Sequence, residues 1–226
     1  MDRCACESIE TEIDRATNDE INAYLQGASR DGTFNRLHRT LRIAQADVRW
    51  LQVLGDLLGR LGKRSWTYRE GTRSVWVIET TWRSESPAMI RTQGEATSFV
   101  RGYFDAEGGV PGDAGARFYV QFVQKNHADL AHTRGLLGLL GVQCGRIHNP
   151  SARRDANYWR FYVLAASHRR FIETIGSWHP RKRMLLDERA HSSGRGCVPL
   201  RREAPDSAGQ VTVHRVRYRG GAHRGQ

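Results

Sequence analysis

Apolar residues recur at helical spacing in two separate stretches of the chain, "INAYLQGASRDGTF" (21–34) and "TSFVRGYFDAEGGV" (97–110). Each carries a glycine at its centre, Gly27 or Gly102, and each closes on an acidic residue followed by glycine, Asp31-Gly32 or Glu107-Gly108. The next stretches of the chain also repeat. "LRIAQADVRWLQVLGDLLGRLG" (41–62) and "VQFVQKNHADLAHTRGLLGLLG" (120–141) both read as a short strand ending in glutamine, then a helix that stops at Leu-Gly. Gln45 and Gln124 are 79 positions apart, and so are Gly62 and Gly141, which is one register kept through the block. A third block, "KRSWTYREGTRSVWVIET" (63–80) against "VQCGRIHNPSARRDANYWRFYVLA" (142–165), reads as strand, turn, strand; Trp159, Phe161 and Val163 alternate with Arg160 and Tyr162. The pattern therefore predicts an α+β chain built twice as helix, two strands, helix, two strands, helix. Asn18 and Asn126 are the expected caps of the first helix and of the one starting near His127.

This divides the chain into a first half over 1–90, a second over 91–190 and a tail over 191–226. The link, "WRSESPAMIRTQGE" (82–95), is broken by Pro87 and Gly94. The tail is basic, rich in glycine and without period, and is expected to be disordered and to add non-specific affinity for DNA. Lys and Arg number 35 against 24 Asp and Glu, a net charge of +11, which favours a polyanionic partner. No apolar run reaches the ~20 residues a bilayer span needs, so no membrane is expected. Asp2, Glu7, Glu10 and Glu12 do not suit a secretory signal, and Cys4, Cys6, Cys144 and Cys197 form no paired framework. The expectation is a reduced intracellular setting: cytoplasm or nucleoid of a prokaryote, or an organelle. No P-loop or dinucleotide fingerprint is present, and no HxxxH or HxH pair sets up zinc.

The two glycine-centred stretches resemble the motif of the LAGLIDADG homing endonucleases in their two-motif, single-chain form; the second, "FVRGYFDAEGG", is the nearer match. The first, "YLQGASRDGTF", is one residue shorter between glycine and acid. The resemblance runs over roughly 21–188. It implies two antiparallel-sheet halves packed through their motif helices, with Gly27 and Gly102 allowing close approach. It further implies that Asp31 and Glu107 bring one carboxylate each to a shared centre holding Mg²⁺ (or Mn²⁺), helped by the backbone carbonyls of Arg30 and Ala106. Gln45 and Gln124 match a polar position beside the scissile phosphates. The implied activity is hydrolysis of double-stranded DNA at a long asymmetric site by a monomer, since both motifs lie in one chain. Asp105 is expected to be structural.

One departure concerns the basic residue that the family commonly has after the last strand of each half. Thr81 and Ala166 stand there, with His168, Arg169 or Lys182 as replacements. The alternative reading is a non-cleaving member of the family, an intron RNA maturase or a DNA-binding regulator. A structural nucleic-acid chaperone acting through charge alone is a third. For base and phosphate contacts the outward strand positions and loops supply Arg36, His38, Thr40, Arg42, Arg69 and Arg73 in the first half. In the second they supply Arg117, Tyr119, Gln121, Arg146, His148, Arg153, Arg154, Arg160 and Tyr162, with Lys182 on the last helix.

Overall fold

The structure, a computed structural model, describes residues 8–72, 74–84, 90–113 and 115–193. A short helix α1 (Ile9–Arg15) precedes the first motif helix α2 (Asn18–Ala28), which tightens into a 3₁₀ turn at Ser29–Asp31. Strands β1 (Thr33–Asn35) and β2 (Thr40–Gln45), helix α3 (Val48–Arg60), and strands β3 (Ser65–Arg69) and β4 (Trp76–Thr80) complete the first half. The second runs α4 (Gln93–Glu107), β5 (Gly108–Gly109), β6 (Gln121–Gln124), α5 (His127–Leu139), β7 (Trp159–Tyr162), a 3₁₀ turn (Ala165–Ser167), α6 (His168–Thr174) and α7 (Pro180–Ser193). Two antiparallel sheets result, in the orders β1-β2-β4-β3 and β5-β6-β7.

The duplication governs local structure. Both inner helices stop at their Leu-Gly: Gly62 and Gly141 have φ of 66° and 78°, a conformation glycine adopts without a Cβ penalty. Lys63 N then bonds Leu58 O and Val142 N bonds Leu137 O, both at 2.8 Å. Asn126 caps α5 as its position predicts. The cap of α2 is Thr17 and not Asn18: its hydroxyl accepts from Glu20 N while the Glu20 carboxylate accepts from Thr17 N, a reciprocal capping box.

Two further differences from the predicted order have packing causes. Among the described residues no helix closes the first half after β4; Ile13 of α1, Trp82 and Trp178 fill that core, and Trp82 Nε1 donates to Asn22. In the second half the strand expected after Val142 shrinks to isolated bridges, Cys144 with Val163 and His148 with Arg160. The loop beyond folds on itself instead, Asn149 donating to the carbonyls of Asp155 and Ala156. The first core gathers Tyr24, Trp50, Leu54 and Leu57; the second gathers Phe99, Phe104, Phe122, Phe161 and Phe171.

Candidate active site and nucleic-acid face

Helices α2 and α4 cross with backbone against backbone. A Cβ on Gly27 would stand 2.5 Å from Tyr103 N and closer still to Phe99 O; one on Gly102 would stand 2.9 Å from the Tyr24 carbonyl carbon and closer to its oxygen. No other residue fits either position, because backbone cannot swing away as a side chain can. The pairing brings both acidic ends together. The first copy has one residue fewer, and the 3₁₀ turn compensates. Three residues at ~2.0 Å rise span about the same ~6 Å as four at ~1.5 Å, so Asp31 reaches the level that Glu107 reaches in an unbroken α-helix.

Each carboxylate is held by the matched glutamine of its own half. Gln45 Nε2 donates to Asp31 Oδ2 at 2.5 Å and Gln124 Nε2 to Glu107 Oε1 at 2.7 Å. Desolvation raises both carboxyls, and the neighbouring Asp31 charge pushes Glu107 further, to about 7. The two carboxylates are near enough for the charge of one to act on the other, and Lys182 offsets part of it. Because Glu107 stays above the usual carboxylate value, the metal-free fold is favoured at low pH and loses that contribution as pH rises through 7. A cation competing for the same carboxylate should show the converse. Calorimetric titration with Mn²⁺ is expected to give an affinity that falls about ten-fold per pH unit below about 7 and levels above it; a flat profile would remove Glu107 as a ligand.

Lys182 has a different place from the one its sequence position suggested. Its ammonium is turned inward, donating to the carbonyls of Phe104 (2.7 Å), Asp105 (2.8 Å) and Gly108 (2.7 Å). These acceptors lie at the end of α4, where a helix leaves its last carbonyls without partners, so all three donors cap a helix rather than meet a phosphate. The Ala106 carbonyl between them is left out of this set. Burial lowers the Lys182 ammonium to about 8, against the pull of Asp105, Asp31 and Glu107. Lys182→Met is expected to cost about 2–4 kcal/mol in urea unfolding by stranding those carbonyls. Lys182→Arg should recover under half of it, because a planar guanidinium cannot converge on three acceptors. His168 and Arg169, the other candidate replacements, are held elsewhere: His168 bonds the Val163 carbonyl and Arg169 pairs with Glu173.

Asp105 is a structural hub. Buried, it accepts from Tyr24 Oη (2.7 Å), Trp178 N (2.9 Å), His179 N (3.1 Å) and the Ser177 hydroxyl. Trp50 Nε1 extends the chain to Tyr24. Asp105 thus ties α2, α3 and α4 to the segment leading into α7. Arg30 makes a second tie between halves, a 3.0 Å ion pair with Asp129 of α5.

The sheet surfaces turned away from the helices differ. On the second, Tyr119, Gln121, His148, Arg160 and Tyr162 lie together: Tyr119 meets Tyr162 edge-on at 6.0 Å, His148 stacks on Tyr162 at 6.3 Å, and Arg160 lies over the Tyr162 ring at 5.3 Å. Arg117, Arg146, Arg153 and Arg154 are exposed. In the first half Arg36, His38 and Arg69 are exposed, and Arg73 falls outside the described residues. Thr40 lies on the face its alternation suggested but is covered there. It is buried, its hydroxyl donating to Glu79, whose other oxygen accepts from Tyr68 at 3.2 Å. Arg42 is half-buried and paired with Glu70 at 2.8 Å.

Residues 94–176 match the LAGLIDADG-like domain. Similar solved structures extend the likeness over both halves. I-DmoI in complex with DNA and manganese has 17% identity and a TM-score of 0.53, over 70% of this chain and 97% of that one. The N-terminal LAGLIDADG domain of DUF199/WhiA has 20% identity and a TM-score of 0.58, over 78% and 94%. The fold is that of the LAGLIDADG homing endonucleases. Full-length DUF199/WhiA from Thermotoga maritima, also 20% identical, superposes with a TM-score of 0.61 over 88% of this chain and 70% of its own. No curated protein sequence matches the chain. The LAGLIDADG-like domain match falls on the second half alone; over the first half the likeness is one of fold.

Proposed function

We propose that the protein is a site-specific, metal-dependent endonuclease acting on double-stranded DNA. The observation that carries this is the pair of opposed carboxylates, Asp31 and Glu107, each oriented by a matched glutamine at the meeting point of two motif helices. I-DmoI, of the same fold, is described in complex with DNA and manganese or calcium.

The residues present fit a divalent cation. Among the described residues no cluster of three or more His, Cys, Asp or Glu exists. Two carboxylates and a helix-end carbonyl, at Ala106 or Arg30, leave the remaining positions to water and phosphate, which is how Mg²⁺ is usually held. When bound, the ion supplies an acidified water and a counter-charge to the phosphate. The chain's own groups do the rest. Asp31 and Glu107 would hold the cation, Gln45 and Gln124 hold their carboxylates in one rotamer, and Lys182 keeps the end of α4 closed. The sheet faces orient the duplex. Both carboxylates belong to one chain, so a monomer suffices.

A second reading, sequence-specific binding of DNA or intron RNA without cleavage, draws on one observation. The Lys182 charge already offsets part of the negative centre that a metal would neutralise. Incubating the full chain with a pool of mixed-sequence duplexes, with and without Mg²⁺, separates the two. Discrete metal-dependent products support the nuclease. Selective retention of some duplexes without any cut in Mg²⁺ or Mn²⁺ supports the second reading.

A further inference from the structure

The two sheets can be superposed residue by residue through their registers. In the first, Gln45 pairs with Trp76 and Arg42 with Glu79; in the second, Gln124 pairs with Trp159 and Gln121 with Tyr162. Thr40, Arg42, Val77 and Glu79 therefore correspond to Tyr119, Gln121, Arg160 and Tyr162. The chemistry at these matched places is opposite. The first set centres on a buried carboxylate, Glu79, held by Thr40 and Tyr68, and its one cation is paired with Glu70. The second set is aromatic and cationic, and among the described residues neither Arg146 nor Arg160 pairs with a carboxylate.

We infer that the second half anchors double-stranded DNA through the Tyr119–His148–Arg160–Tyr162 face, while the matched Thr40–Arg42–Glu79 face of the first half is self-neutralised and adds little backbone affinity. This rests on the DNA-binding reading above and assigns unequal work to its two halves. An unpaired guanidinium releases counterions when it meets a phosphate; one already facing a carboxylate must break that pair first and gains correspondingly less. The Tyr162 ring beneath its guanidinium and the 3.4 Å donation of its Nε to His148 Nε2 restrain Arg160, which reduces the entropy lost on contact.

The test is fluorescence polarisation of a labelled mixed-sequence duplex with the full chain in chelator, where no cleavage intervenes. Arg160→Ala is expected to weaken binding about ten-fold and Arg42→Ala less than about two-fold. Glu70→Gln, a change at the protein surface, should tighten binding about three-fold by releasing Arg42, and adding Arg42→Ala should cancel the gain. Thermal melts check that each variant is folded. Equal losses for Arg42→Ala and Arg160→Ala, or no gain from Glu70→Gln, would overturn the unequal assignment while leaving DNA binding intact. A wild-type chain that binds no duplex would overturn the DNA reading itself.

Discussion

Asp31→Asn combined with Glu107→Gln is expected to lower Mg²⁺-dependent cleavage at least about a thousand-fold, because losing both ligands forfeits several kcal/mol of charge stabilisation at the phosphate. Both substitutions keep shape. Asn and Gln retain a carbonyl oxygen to accept from Gln45 and Gln124, so the bonds of 2.5 and 2.7 Å have isosteric replacements. The Asp31 charge and the ionised share of Glu107 vanish from a surface that, in the proposed function, receives a polyanion. Duplex affinity should therefore hold or rise a few-fold, not fall. Single-turnover cleavage read beside polarisation binding separates the effects. Rate and affinity falling together would mean that the pair supports the fold and not the chemistry. An unaltered rate would place the chemistry elsewhere.

Gly102→Ala is expected to cost about 4 kcal/mol or more, enough to leave little folded protein at ambient temperature. The added methyl meets the backbone of Tyr24 and lies 3.0 Å from Ala28 N. Relief requires α2 to shift bodily, and Asp31 sits at the end of α2. Any variant that does fold should thus lose cleavage as well. Gly59→Ala is the matched control, also inside a helix but with nothing within 4 Å of the added carbon. It should gain about 0.5–1 kcal/mol from helix propensity alone. Urea unfolding of the two variants gives opposite signs if the close approach is what Gly102 provides, and the same sign if it is not.

Much of this architecture was legible in the chain because duplication writes each signal twice. The Gly-to-acid runs, the Gln positions 79 apart and the Leu-Gly stops each gain weight from their partners, and the sheets and helix ends form at those places. Features outside the repeat escaped. Helix α1 has no counterpart in the second half, and its anchors are tertiary: Glu12 receives Trp178 Nε1 and Arg183, Arg60 donates to the carbonyls of Ile13 and Ala16, and Ile13 enters the core. Thr17 could have been found, since Thr17 followed by Glu20 is a capping-box spacing; Asn18 competed only by being a good cap in isolation. The turning-in of Lys182 and the burial of Thr40 had no local signal. Alternation places Thr40 on the outer face, but only the fold brings Glu79 and Tyr68 over it. A lysine in "PRKRM" likewise reads as a surface charge until α7 is laid across the end of α4.

The closure of α4 by segment 177–182 also has a consequence in time. A ribosome delivers Asp31 first and Glu107 well after it, yet the donors that secure Asp105 and the last turn of α4 belong to residues made 72 to 77 positions later. Until they emerge, the carbonyl end of α4 lacks its ammonium and the Asp105 carboxylate lacks the donors of Ser177, Trp178 and His179. A nascent chain bearing both acidic residues thus lacks the closure of α4, and the Asp31–Glu107 centre gains its support only when translation has passed α7.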